Sequence, residues 1–286
     1  MRSNGAVPPL LLAVGIGDAY GSGFEFAPPE EVIRHNDGRK YHPRPSTGTR
    51  PGRYTDDTQM SLAIAEALIS GESWTPKNLA NRFVTVYHRD PRPGYARGFE
   101  SVLKRCKNGD DLLRLLKPDS DRNGAAMRSI PLGVLPTVAK VREFARIQAR
   151  ITHDTPGGIA PSQAAALMAH FGLRQRGRLV ALPRFLSAKV PGHPWRTPWS
   201  GPVPLHGVST VCAALTALVR NRSLTALLTD CIAFTGDTDS VAAIALGAAC
   251  CYPEYRRDLN PALLHELEKR RYGYDYLLEI SRKLQA

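Results

Sequence analysis

Apolar positions recur at three- and four-residue intervals along most of this 286-residue chain. Met60, Ala63, Ile64, Ala67 and Leu68 form one such stripe, and Val241, Ile244, Ala245 and Ala248 form another. At 3.6 residues per turn these side chains share one face, the signature of an amphipathic helix packed on a core. Ala- and Leu-rich segments predict helices near 60–70, 78–88, 98–106, 125–147, 161–171, 209–219, 224–233 and 240–251, with a last one over 262–284. Alternating β-branched runs are scarce, and Gly or Pro residues separate the helical stretches. The pattern predicts an all-α fold. No internal repeat, heptad run or low-complexity tract breaks it, and 1–286 reads as one domain, long enough to bury a substantial core. One stretch departs from the pattern: Pro183 to Gly207 holds six prolines together with Trp195 and Trp199. Two tryptophans are unusual in a solvated linker, so this segment is expected to be a packed surface loop, a candidate rim of a site.

Two helical stripes begin at acidic clusters. Thr55-Asp56-Asp57 precedes the first and Asp237-Thr238-Asp239-Ser240 the second, about 180 residues later. Asp, Thr and Ser in such places are ordinary N-caps, worth about 1 kcal/mol each. A cap needs one acceptor, however, and each cluster supplies three or more oxygen side chains. If the two helix starts meet, their carboxylates and hydroxyls converge, and that much negative charge in a partly dry site needs a cation. Hard oxygen ligands suit Mg2+, Mn2+ or Ca2+ rather than zinc.

Composition narrows the partners. The chain is 43% hydrophobic and 22% charged, with net charge +12 and pI near 9.7. The basic residues are mostly scattered Arg, without a dense basic run or a zinc-finger signature, so nucleic acid is not an expected partner. A basic surface equally favours a phosphate-bearing substrate. Five unpatterned cysteines with no CxxC spacing fit a reducing cytosol, and three of them lie in Ala-rich apolar stretches. Asp18 interrupts Leu10 to Gly17 before any convincing cleavage site, and no apolar run reaches the roughly 18 residues of a membrane span. A cytoplasmic location, no membrane and a monomer are the resulting expectations.

Five short motifs, in order, carry a resemblance over nearly the whole chain. They are Gly17-Asp18-Ala19-Tyr20-Gly21 followed by Glu25; Tyr54-Thr55-Asp56-Asp57-Thr58-Gln59-Met60; Asn123-Gly124-Ala125-Ala126-Met127-Arg128; Thr152-His153; and Thr235-Gly236-Asp237-Thr238-Asp239-Ser240. In these the chain resembles the ADP-ribosylglycohydrolase family, which includes dinitrogenase-reductase-activating glycohydrolases and ADP-ribosylarginine hydrolases. The resemblance implies a compact, single-domain orthogonal helical bundle. It also implies two divalent cations, Mg2+ or Mn2+, at a centre that cleaves the glycosidic bond at C1 of ADP-ribose.

Carried over by position, Thr55, Asp56 and Asp57 match the first ligand cluster, and Asp237, Asp239 and Ser240 the second. The family often has Thr where Ser240 stands, and either supplies a hydroxyl oxygen. Asp56 or Asp57 would orient a water or accept its proton. Glu25 matches an acid that reaches a metal or shields the site and is the candidate proton donor to the leaving group; the alternative for Glu25 is an exposed acid in a Gly-rich loop. On the substrate side, Asn123 and Gly124 open a helix whose free N–H groups suit a pyrophosphate, with Ser120 and Met127 beside them; a plain helix start with an Asn cap is the competing view. Gly94 and Gly98 match a second Gly-rich loop, where Ala96 and Arg97 depart from the family's small residues. His153 matches a residue lining the ADP-ribose pocket, and it equally suits a structural hydrogen bond beside Asp154.

The resemblance thus implies hydrolysis of ADP-ribosylated protein, arginine-linked first, with release of ADP-ribose. Serine-linked or small ADP-ribose conjugates are the alternative substrates. A non-catalytic ADP-ribose binder and a metal-dependent phosphohydrolase are the readings from other classes.

Overall fold

The computed structural model describes residues 8–44, 49–175 and 177–285, and every structural statement below concerns these. Among them are helices and isolated bridges but no strand, so the all-α expectation holds. In chain order the helices are α1 (Leu10–Gly21), α2 (Pro29–His35), α3 (Asp56–Ile69), α4 (Pro76–Arg89), α5 (Arg97–Arg105), α6 (Gly109–Leu115), α7 (Gly124–Met127) and α8 (Val138–Arg150). They continue with α9 (Pro156–His170), α10 (Leu182–Lys189), α11 (Gly207–Arg220), α12 (Leu224–Ala233), α13 (Thr238–Ala249), α14 (Pro261–His265) and α15 (Tyr274–Gln285). No described helix is long and apolar enough to cross a membrane.

Helices α1 and α13 form the centre. Every residue of both is buried, and they lie against each other at backbone distance. Glycine makes that approach possible: a Cβ on Gly17 would stand 2.4 Å from the Ala242 carbonyl oxygen, and one on Gly21 would stand 2.4 Å from the Asp239 Cα. The outer helices α4, α8 and α15 instead bury one stripe each. Their starts follow local rules. Thr75 and Thr137 accept from the N–H groups of Asn78 and Lys140, and Pro76 sits at the first position of α4, where no N–H is needed.

Three sequence expectations need correction. The predicted helix at 125–147 is broken into α7, a 3-10 turn over Ile130–Val134, and α8. Pro131 and Pro136 supply no N–H to a continuous helix and end it. The predicted 262–284 helix is likewise split into α14 and α15 around the turn before Gly273, where a Cβ would stand 2.0 Å from the Glu268 carbonyl oxygen. Helix α1 was not among the predicted helices. It is apolar on all sides, so it lacks the stripe that an amphipathic search detects.

The Pro183 to Gly207 stretch packs as expected. Its first part is α10, Trp195 is buried with its Nε1–H donating to the Val190 carbonyl (2.6 Å), and its far end braces two other loops. Val203 exchanges backbone bonds with the second acid cluster, accepting from Asp237 N–H (2.9 Å) and donating to Thr235 (3.1 Å), while Leu205 accepts from Asn123 N–H (3.2 Å).

Candidate active site

The first acid cluster opens α3, but its acids do not cap it. That task falls to Asp18, which is fully buried on α1. Its carboxylate accepts from the backbone N–H groups of Thr55 (2.9 Å) and Thr58 (3.0 Å) and from both hydroxyls, Thr55 at 2.8 Å and Thr58 at 2.5 Å. Capping from a neighbouring helix frees Asp56 and Asp57, and it leaves lone pairs of the Thr55 hydroxyl available after its hydrogen is used. In the second cluster Asp237 precedes α13 without a side-chain cap bond, its carboxylate accepting instead from Asn123 and Thr210. The simple cap reading therefore fails for both clusters.

The close packing of α1 on α13 then sets the two helix starts side by side. Single carboxylate oxygens of Glu25, Asp237 and Asp239 lie within 4.8 Å of one another. Asp56 and Asp57 feel the Asp239 charge directly. Burial first, and Asp239 second, hold the pKa values of Asp56, Asp57 and Asp237 well above the carboxylate range. The same two causes raise Glu25 to about 9, against the Arg44 guanidinium that pairs with it. They raise Asp18 to about 6, against the hydrogen bonds from Thr58 and Thr55. Asp57 Oδ1 is buried with no hydrogen-bond partner. A buried carboxylate oxygen without a donor, among closely set acids, has the bonding capacity to hold a cation. The donor set is hard oxygen throughout, which fits Mg2+ or Mn2+.

The other expected residues spread over distinct positions. Gly94, at φ +109, presses on the site: a Cβ there would stand 1.9 Å from Asp56 Oδ1, and the Asp56 N–H bonds the neighbouring Pro93 carbonyl (3.0 Å). Gly98 lies exposed in α5 with open space around it. Asn123 turns its side chain to the acids, donating from Nδ2 to Asp237 Oδ2 and to Thr210 Oγ1 (3.3 Å). Helix α7, which it precedes, has only four residues. Ser120 is half-buried and accepts from Arg122 N–H (3.1 Å); Met127 is buried, its carbonyl accepting from Ser61 Oγ (3.1 Å). Ser240 is buried at the start of α13, its N–H donating to Asp239 Oδ1 (3.0 Å).

His153 packs directly under α7, where a Cβ on Gly124 would meet its ring at 2.9 Å. Burial, then the Arg128 charge, pushes its pKa down to about 3, so it is neutral. Thr152 Oγ1 accepts from Arg128 Nη2 (2.8 Å) and lies 2.6 Å from His153 Nδ1. The Thr152 hydroxyl thus links the Arg128 guanidinium to the imidazole and fixes the ring's position.

Sequence reasoning gave no chemical role to three residues of this site. Asp18 appeared only as part of a motif; its capping role needs α1 and α3 in contact. Arg44 pairs with Glu25 across a loop, and Thr210 meets Asp237 from α11. Neither pairing leaves a local signal. Glu25, for its part, is largely buried rather than an exposed loop acid.

The model of the ADP-ribosylglycohydrolase family matches residues 7–286. The chain belongs to that family. It is similar to the human ADP-ribosylhydrolase ARH3, at 30% identity over 174 residues, 56% of this chain and 47% of the human protein. It is also similar to the ADP-ribosyl-dinitrogen reductase glycohydrolase of Rhodospirillum rubrum, at 28% over 170 residues, 58% of each. The chain thus spans about half the length of these curated relatives. A solved structure described as an ADP-ribosylglycohydrolase-related protein complex superposes with TM-score 0.74 at 23% identity, covering 98% of this chain and 96% of that one. At that identity the likeness establishes the fold.

Proposed function

We propose that this chain hydrolyses the bond between ADP-ribose and a modified protein side chain and releases ADP-ribose. The observation that carries the reading is the meeting of Glu25, Asp237 and Asp239 at one point, with Asp56 and Asp57 near enough to feel the Asp239 charge and Asp57 Oδ1 buried without a partner. The family match and the names of the relatives supply the substrate class. Thr55, Asp56, Asp57, Asp237, Asp239 and Ser240 would hold two divalent cations, Mg2+ or Mn2+, and Glu25 joins Asp237 and Asp239 as a ligand candidate. Such cations supply positive charge that offsets the buried acids and polarises ribose hydroxyls.

The chain's own groups do the rest. Asp56 or Asp57 orients the attacking water and takes its proton. The remaining carboxylates stabilise the positive charge that develops on the ribose ring. Glu25, largely buried beside Asp237 and Asp239, is also the candidate proton donor to the leaving group. Neutral His153 beside Gly124, and Gly94 and Gly98, with Ser120, Asn123, Gly124 and Met127, are assigned to the ADP-ribose side. Arginine is the first linkage to test, because guanidine is basic enough to leave without a strong acid. The same reading has the chain working as a monomer in the cytoplasm.

Mass spectrometry of the products tests it. Arginine- and serine-ADP-ribosylated proteins, incubated with Mg2+ or Mn2+, should yield intact ADP-ribose from the arginine conjugate first, and EDTA should stop the release. AMP among the products would make the chain a phosphohydrolase, and ADP-ribose binding without release would make it a binder. Either result contradicts the proposal.

A further inference from the structure

Beside the acid site lies a second feature that the hydrolysis does not use. A cavity of about 340 Å³ is lined by Arg50, Pro51, Arg53, Glu268 and Arg270. Its two walls are tied together, since Glu268 N–H donates to the Gly52 carbonyl (2.9 Å) and a Cβ on Gly52 would stand 2.3 Å from the Glu266 carbonyl oxygen. Below it, the fully buried Arg92 stacks 3.8 Å over the Tyr54 ring and pairs with both Asp90 and Glu268. Four guanidinium groups thus face two carboxylates. Those of Arg50, Arg53 and Arg270 have no carboxylate partner among the described residues.

Two buried atoms in this cavity lack partners. Arg53 Nε has no hydrogen bond, and neither does Glu268 Oε2, on a side chain only 9% exposed. Both lie below the accessible surface, so what the cavity presents to a ligand is its guanidiniums, which ask for acceptors. An acidic stretch of polypeptide supplies them in its carboxylates. Position supports a polypeptide as well. Arg53 is three residues before Asp56, a span of at most about 11 Å, so the patch lies within a few extended residues of the acids.

We infer that this patch is an exosite for acidic polypeptide flanking the modified residue of the substrate. As a substrate exosite it rests on the proposed hydrolysis, whereas its binding chemistry does not. The test is fluorescence anisotropy with a labelled acidic peptide, a neutral peptide of equal length and a single-stranded DNA oligonucleotide. Arg50→Ala/Arg53→Ala/Arg270→Ala should bind the acidic peptide about tenfold more weakly than wild type, the scale of three partly exposed ion pairs, and added salt should weaken the wild type further. The reversed variant Arg50→Glu/Arg53→Glu/Arg270→Glu should bind a basic peptide instead, which separates charge recognition from damage to the fold. Turnover of a small ADP-ribosyl-arginine conjugate should be unchanged in the triple Ala variant, while KM for an acidic protein conjugate rises. Equal acidic-peptide affinity in wild type and variant overturns the exosite, as does tighter binding of DNA than of peptide. A chain that hydrolyses nothing yet shows the peptide difference would overturn the hydrolysis and leave the patch standing as a peptide site.

Discussion

Single carboxylates carry the proposed chemistry, and their environment decides what each one can do. Asp18 is saturated by donors and serves the fold; Asp57 has an oxygen with no donor and serves whatever binds. The difference has a stability consequence. Burial, followed by the charges of Asp239, Asp56, Asp18 and Asp237, raises the Asp57 pKa in the folded chain. A raised carboxylate contributes stability that is complete below its unfolded value, near pH 4, and is lost as pH rises through the folded value. Asp57→Asn removes that loss, and its amide donors would face neighbouring carboxylates. Thermal melts in EDTA should show the variant at least about 2 °C above wild type near neutral pH, with the gap closing toward pH 4, and turnover should be abolished. A variant less stable than wild type in EDTA would mean that Asp57 has a protein partner and is not a vacant ligand.

At the scale of elements, the site depends on how closely α1 approaches α13. Gly21→Ala tests this. Alanine improves helix propensity by about 1 kcal/mol, but its Cβ would stand 2.4 Å from the Asp239 Cα, a backbone atom that cannot swing away. The clash should win, with a net loss of roughly 1–3 kcal/mol in denaturant titrations and weaker cation binding as α13 moves off. Unchanged stability and binding would show that the contact is slack. The same pair of helices shows what the sequence made legible. α3, α4, α5, α9, α11, α12 and α13 were readable from their stripes or their Ala-rich runs, and both acid clusters from their position at helix starts. Helix α1 was not: it is buried on all sides like α13 but lacks the Ala-rich run that made α13 readable; α2, α6 and α10, at seven or eight residues, are too short to show a period. Prolines 131 and 136 were visible, yet local pattern gave too little weight to their power to end a helix. Pairings such as Asp18 with Thr55 and Thr58, Arg44 with Glu25, and Asn123 with Asp237 depend on tertiary contact, so only the assembled fold displays them.

For the whole molecule, the charge distribution sums up the account. The chain carries net charge +12, yet it concentrates buried carboxylates at its centre with Arg44 as the cation paired to them among the described residues. Glycine packing brings the acids together and Asp18 relieves those of α3 of capping, and the resulting set of hard oxygens is what the proposed divalent cations would occupy. The most direct test is calorimetric titration of Mn2+ into metal-free protein near neutral pH, on wild type and on Asp239→Asn, whose side chain faces the other acids. Wild type should bind two ions and Asp239→Asn should lose at least one of them, with proton release accompanying the binding in wild type. A wild-type chain that takes up no divalent cation, or an Asp239→Asn variant that binds as tightly as wild type, would contradict the site at its core.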